Sequence, residues 1–116
     1  MVENFVKSLY ESIVEENLEI YKSIYETTQF SDKTNENWRQ AIGLYGSLSK
    51  EQKVILISII EQTITDTISN VLGIIDGSST LKGCTFEPKL LLDSVRTDGE
   101  LQDNFLAYIE DKKNEC

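Results

Sequence analysis

Residues 49–77 read SKEQKVILISIIEQTITDTISNVLGIIDG, and whether this stretch is helix or strand decides the fold. Its isoleucines are β-branched and, taken singly, favour a strand. The length argues otherwise. Strands mostly run under about ten residues, whereas here the apolar run continues from Val54 to Ile75 with polar breaks at helical spacing. Ser49 with Gln52 three residues on has the spacing of a capping box, in which each side chain accepts the other's backbone N–H. Asp76-Gly77 supplies the stop, because glycine takes the left-handed conformation that ends a helix without a Cβ clash. The sequence therefore predicts one long helix. Ile60, Ile64, Ile68, Val71, Leu72 and Ile75 share one side of it. Ile55, Leu56, Ile57 and Ile59 make its first half apolar nearly all round, the pattern of a helix at the centre of a bundle.

Upstream, Asn35 to Gly46 predicts a short helix with Thr34 or Asn35 as its cap and Trp38, Ala41, Ile42 and Tyr45 as its apolar face. Trp38 is expected in the core. Further upstream, Val2, Phe5, Val6, Leu9, Ile13, Ile20, Tyr21 and Ile24 recur at three- and four-residue steps, predicting a helix from about Val2 to Thr28. Thr27-Thr28-Gln29 and Ser31-Asp32 end it.

Downstream, Ser78 to Gly83 reads as a loop. Cys84 to Val95 is short extended or irregular structure, since Pro88 has no N–H to give a central strand. A last helix is expected from about Asp98 to Lys112. Thr97 and Glu100 have capping-box spacing, Asp98 lies at the positive helix end, and Leu101, Phe105, Tyr108 and Ile109 face inward. Asn114 to Cys116 should fray. The expectation is one domain over residues 1–116, all-α, a bundle of about four helices with room for one short β-hairpin near residues 84–92. The two long helices pack together and the shorter ones cover their sides.

The 116 residues carry a formal charge of −9, divided as −4 over residues 1–34, −1 over 35–75 and −4 over 76–116. Such a surface repels nucleic acid and anionic membranes and favours a basic protein partner. It also serves plain solubility. Val54 to Ile60, the most apolar stretch, is too short to span a bilayer. The first residues, Met1-Val2-Glu3-Asn4, have no basic segment leading into an apolar run, so no signal peptide is expected. Cys84 and Cys116 are the only cysteines and are expected as free thiols in a reducing cytoplasm.

The chain has no histidine and no glycine-rich phosphate loop, so histidine-activated nucleophiles and the usual zinc sites are out of reach and no cofactor is expected. The remaining groups are carboxylates. Glu11, Glu15 and Glu19 recur every four residues and form either a solvated face or an acidic strip for a partner or hard cation. Ser58, Gln62, Asp66 and Asn70 do the same on the long helix, with Asp76 just beyond. They form either a solvated face or a recognition seam.

Two stretches, Asp66 to Gly77 and Gly99 to Leu106, resemble segments of small uncharacterised bacterial helical proteins. Some small acidic proteins of that kind resemble immunity proteins of bacterial toxin systems. The resemblance covers about a fifth of the chain and carries over no catalytic residue. It implies a bacterial cytoplasmic binding protein. The leading expectation is an immunity-type inhibitor, not an enzyme, that occludes a basic cleft with Asp66, Asn70 and Asp76 or with Glu11, Glu15 and Glu19. The alternative is a homodimeric scaffolding module, because the isoleucine-rich half helix offers more apolar perimeter than one small bundle covers.

Overall fold

The structure, a computed structural model, describes residues 1–29, 31 and 33–114. The first helical rod comprises α1 (Val2–Leu9), a π-helical segment (Tyr10–Glu15) and α2 (Glu16–Thr27). Then come α3 (Glu36–Ser47), α4 (Lys50–Asp76), the hairpin strands β1 (Leu91–Leu92) and β2 (Val95–Arg96), and α5 (Leu101–Lys113). The architecture is thus a helical bundle with one small antiparallel hairpin, as the periodicity predicts. The expected endings at Asp32, Glu115 and Cys116 lie outside the described residues.

The ends of α4 form as the sequence dictates. Ser49 Oγ accepts from Gln52 N at 3.1 Å and Gln52 Oε1 accepts from Ser49 N at 2.9 Å. Gly77 closes the helix at φ +84°. Asn35 caps α3 by accepting from Asn37 N at 2.8 Å.

The first rod departs from a plain α-helix. The wide π turn shifts the phase of its apolar stripe. The buried seam therefore runs through Val6, Tyr10 and Val14, while Ile13, Ile20 and Tyr21, expected inside, are substantially exposed. The two ends of the rod also serve different neighbours: α1 packs on α5, and α2 packs on α3 and α4.

The core is built around α5, which lies against both α1 and α4. The two long helices meet as expected, the π segment and α2 lying against α4, but α5 sits within the core instead of only covering a side. Leu101 and Phe105 are fully buried and join Val6, Tyr10, Val14 and Leu72. Tyr10 packs its ring against Phe105 and, edge-on, against Tyr108.

Three further expectations are corrected. The hairpin lies at residues 91–96, with Leu91 opposite Arg96 and Leu92 opposite Val95, downstream of the expected 84–92. Asp93 and Ser94, at φ 48° and 70°, fill the two left-handed positions of its two-residue turn. The last helix begins at Leu101, because Asp98 and Gly99 both have positive φ and interrupt a right-handed helix. Thr97 does not cap it; its N–H and hydroxyl both donate to Leu90 O, at 3.2 and 3.3 Å. Finally, the first half of α4 is not central. α5 covers the second half only, so Val54, Ile55 and Ile59 are exposed, as is Val71 on another side.

Candidate interaction surface

The six acidic and amide residues singled out in the sequence do not form one patch. Asp76 is a structural cap. Its carboxylate, at the end of α4, accepts from Leu101 N at 3.1 Å and Gln102 N at 2.8 Å, the free donors that open α5. The Gln102 side chain donates to Ser69 O at 2.9 Å and Ser69 Oγ at 3.2 Å. It can lie there because residue 73 is glycine: a Cβ at that position would stand 2.9 Å from Gln102 Oε1. Ser69, Gly73, Asp76 and Gln102 thus tie α4 to α5.

Glu15 is engaged too. It forms an ion pair with Lys112 at 2.6 Å, across from the π segment to the end of α5. The Glu15 carboxylate, hydrogen-bonded to the ammonium, holds the Lys112 pKa above its ordinary value. The same ammonium lies 5.5 Å from the Tyr10 ring centre and 5.7 Å from that of Tyr108. Glu11 is half-buried and Glu19 is exposed. Because the π turn intervenes, the three glutamates do not keep the straight line that four-residue spacing gives on an α-helix.

Asp66 and Asn70 remain exposed on α4. Gln62 Nε2 donates to Asp66 Oδ1 at 2.8 Å. Asp66 lies at the edge of a cleft of about 530 Å³ between the middle of α4 and the second half of α5. Tyr10, Thr65, Leu106 and Ile109 line it, with Glu61, Asp66 and Glu110 as its acidic groups and Lys112 and Lys113 as its basic ones. Tyr10 donates a long hydrogen bond of 3.5 Å to Glu61 Oε1. Burial, and then the Glu61 charge, raise the Tyr10 pKa above that of a free tyrosine.

Beyond the cleft lies the apolar side of α4. Val54 is 66% exposed, Ile55 59% and Ile59 56%, with Ser58 open to solvent among them. The sequence signalled this surface through the surplus of isoleucine, although the helix was expected to bury it. Beside it, α2 and α3 carry an aromatic cluster whose Tyr45 shares a cleft with Val54 and lies 5.0 Å from the Lys53 ammonium. Trp38 stacks on Tyr21 at 6.0 Å and 11°, and is partly exposed instead of lying in the core. Tyr25 stacks on Tyr45, whose hydroxyl donates to Glu26 at 2.9 Å. Burial and the Glu26 carboxylate raise the Tyr45 pKa.

Among the described residues, no group of three or more acidic or cysteine side chains is arranged to hold a metal ion. Every buried side-chain nitrogen and oxygen there has a hydrogen-bond partner. Cys84 is a half-buried free thiol. Among the described residues, no helix is long and apolar enough to cross a membrane. Comparison with family models, curated proteins and solved structures finds no match.

Proposed function

We propose that this chain is a protein-binding module, not an enzyme, and that it docks its partner on the apolar side of the first half of α4. The supporting observation is the exposure of Val54, Ile55 and Ile59 on adjoining turns of one helix. Full burial of such a side chain is worth about 1.5–3 kcal/mol, so covering these three half-exposed groups contributes about 3 kcal/mol. The test is a photo-crosslinking amino acid at position 55 of the full chain, irradiated in its native cell extract. Adducts at that position, absent when the label is moved to Asn70, are expected. Failure to form any adduct defeats the proposal.

A specific form of this reading is an immunity-type inhibitor, resident in the cytoplasm and indifferent to nucleic acid. The Gln62–Asp66 pair at the cleft mouth supports it, as do Glu61 and Glu110 and the charge of −9. Acidic groups there would meet a basic surface while the neighbouring isoleucines give up water. Binding to a basic toxin encoded beside it should weaken steeply with salt. Salt-independent binding, or none, removes this form.

A further inference from the structure

We propose that the cleft framed by α2, the end of α3 and the first turns of α4 binds a small organic phosphate monoester. The site is separate from the docking surface proposed above, with which it shares only Val54.

The first argument is a local reversal of charge. The cleft has a volume of about 260 Å³. Lys22, Lys50 and Lys53 line it, with Glu26 as its one acid. Three of the chain's eleven basic residues thus meet at one place with one of its twenty acids, an excess of two positive charges on a chain of −9. The cleft between α4 and α5 has the opposite balance, three acids to two bases. Solubility asks for charges of both signs interspersed over the surface, not for a basic cleft in an acidic protein.

The second argument is that the fold does not use these cations. None of the three lysines forms an ion pair with a described residue. Glu26 stands one helical turn from Lys22, yet its carboxylate accepts from the Tyr45 hydroxyl at 2.9 Å. Lys50 and Lys53 fall in the first turn of α4, where the helix dipole disfavours a cation and favours an anion. The Lys53 ammonium lies 5.0 Å from the Tyr45 ring centre, which holds its charge at the cleft without neutralising it.

The third argument concerns the ligand. An excess of two charges suits a dianion, and a phosphate monoester carries nearly two negative charges at neutral pH. Lysines act as point charges that can converge on tetrahedral oxygens, whereas a planar carboxylate is better matched by the arginine fork. Neither arginine of the chain lines this cleft. Val54, Ile57 and the buried Tyr45 supply an apolar wall for the organic part of the ester. Pockets for drug-sized ligands run from about 300 to 1000 Å³, so the organic part here is no larger than about one ring.

The test is a titration of the full chain with phenyl phosphate at about pH 8, where the ester is dianionic, followed by amide chemical shifts in nuclear magnetic resonance. Saturable shifts are expected around Lys22, Tyr45 and residues 50–57, with a dissociation constant of about 1 mM that rises with salt. The double variant Lys22→Gln/Lys50→Gln should weaken binding about tenfold. Both positions are exposed, so its circular dichroism should be unchanged. Lys82→Gln/Lys89→Gln removes the same charge from the segment 78–89 and should bind as the wild type does. Benzoate and inorganic phosphate, which lack the dianionic head and the apolar body respectively, should both bind more weakly. Absence of saturable shifts overturns the site, as does an equal loss in the two double variants. Benzoate binding as tightly as phenyl phosphate overturns the phosphate, and inorganic phosphate doing so overturns the apolar body. Crosslinking at position 55 tests the docking surface separately, so either reading can fail alone.

Discussion

Replacing Asp76 by alanine removes the acceptor for two backbone donors at once. Leu101 N–H and Gln102 N–H have no intrahelical partner, and Asp76 Oδ1 and Oδ2 take one each, at 3.1 and 2.8 Å. Loss of a helix cap costs about 0.5–2 kcal/mol. Leaving a buried donor unsatisfied costs about 1–3 kcal/mol. Leu101 is fully buried, so water does not freely replace the lost acceptor. The expected loss for Asp76→Ala is about 2–3 kcal/mol, a large share of the roughly 5–15 kcal/mol that holds a small domain together. Asp76→Asn keeps one acceptor oxygen but not the charge at the helix end, and should lose about 1 kcal/mol. Urea unfolding followed by circular dichroism measures both, with an unchanged slope showing that the same surface unfolds. Asp98→Asn is the control. Asp98 is the acid that sequence alone would assign to this helix end, but it sits at φ 53° and caps nothing, and asparagine accepts that conformation. A loss under about 0.5 kcal/mol for Asp76→Ala, or an equal loss for Asp98→Asn, would refute the assignment.

Gly73→Val should destabilise by about 1 kcal/mol, measured by the same unfolding curves, because its side chain takes the place of the Gln102 amide, which swings aside and loses its bonds to Ser69. Glu15→Gln should leave the urea midpoint nearly unchanged, since the pair it forms with Lys112 is partly exposed and screened by solvent. The folded state holds the Tyr10 and Tyr45 protons more tightly than the unfolded chain, whose reference value is 10.0. Their contribution is therefore complete below about pH 10 and declines as pH rises through the folded values. A Tyr10→Phe, Tyr45→Phe double variant should show a shallower fall of the urea midpoint across that range.

Local physics made the helices legible. The Ser49–Gln52 box, the Asn35 cap and the Gly77 stop are contacts within a few residues, and each forms where its spacing places it. Misplaced features depended on distant partners or on backbone shape. Asp76 caps α5 from 25 residues away, an acceptor that no local pattern reveals. The π turn at Tyr10–Glu15 has no punctuating residue, so the apolar spacing runs straight through it and places Ile13 and Ile20 inside, where the structure does not. Asp93-Ser94 is a less emphatic turn signal than Asn-Gly, so the hairpin was expected too early. Of the acids that the sequence singles out, Asp76 on α4 and Glu15 on the π segment are engaged in holding elements together, whereas Ile55 and Ile59 of α4 stand exposed.

The wide turn in the first rod works like a one-residue gear shift. Upstream, the helix meshes with α5; downstream, it is rotated to mesh with α3 and α4. Deleting a single residue between Tyr10 and Glu15 would restore uniform winding and leave each end facing its present neighbours, because the wide turn holds one residue more in the same rotation. In a regular helix the same loss turns everything beyond it by about 100°. Here the wide turn has a residue to spare, so gene variants that shorten this segment by one codon should be better tolerated than single-codon deletions elsewhere along the rod.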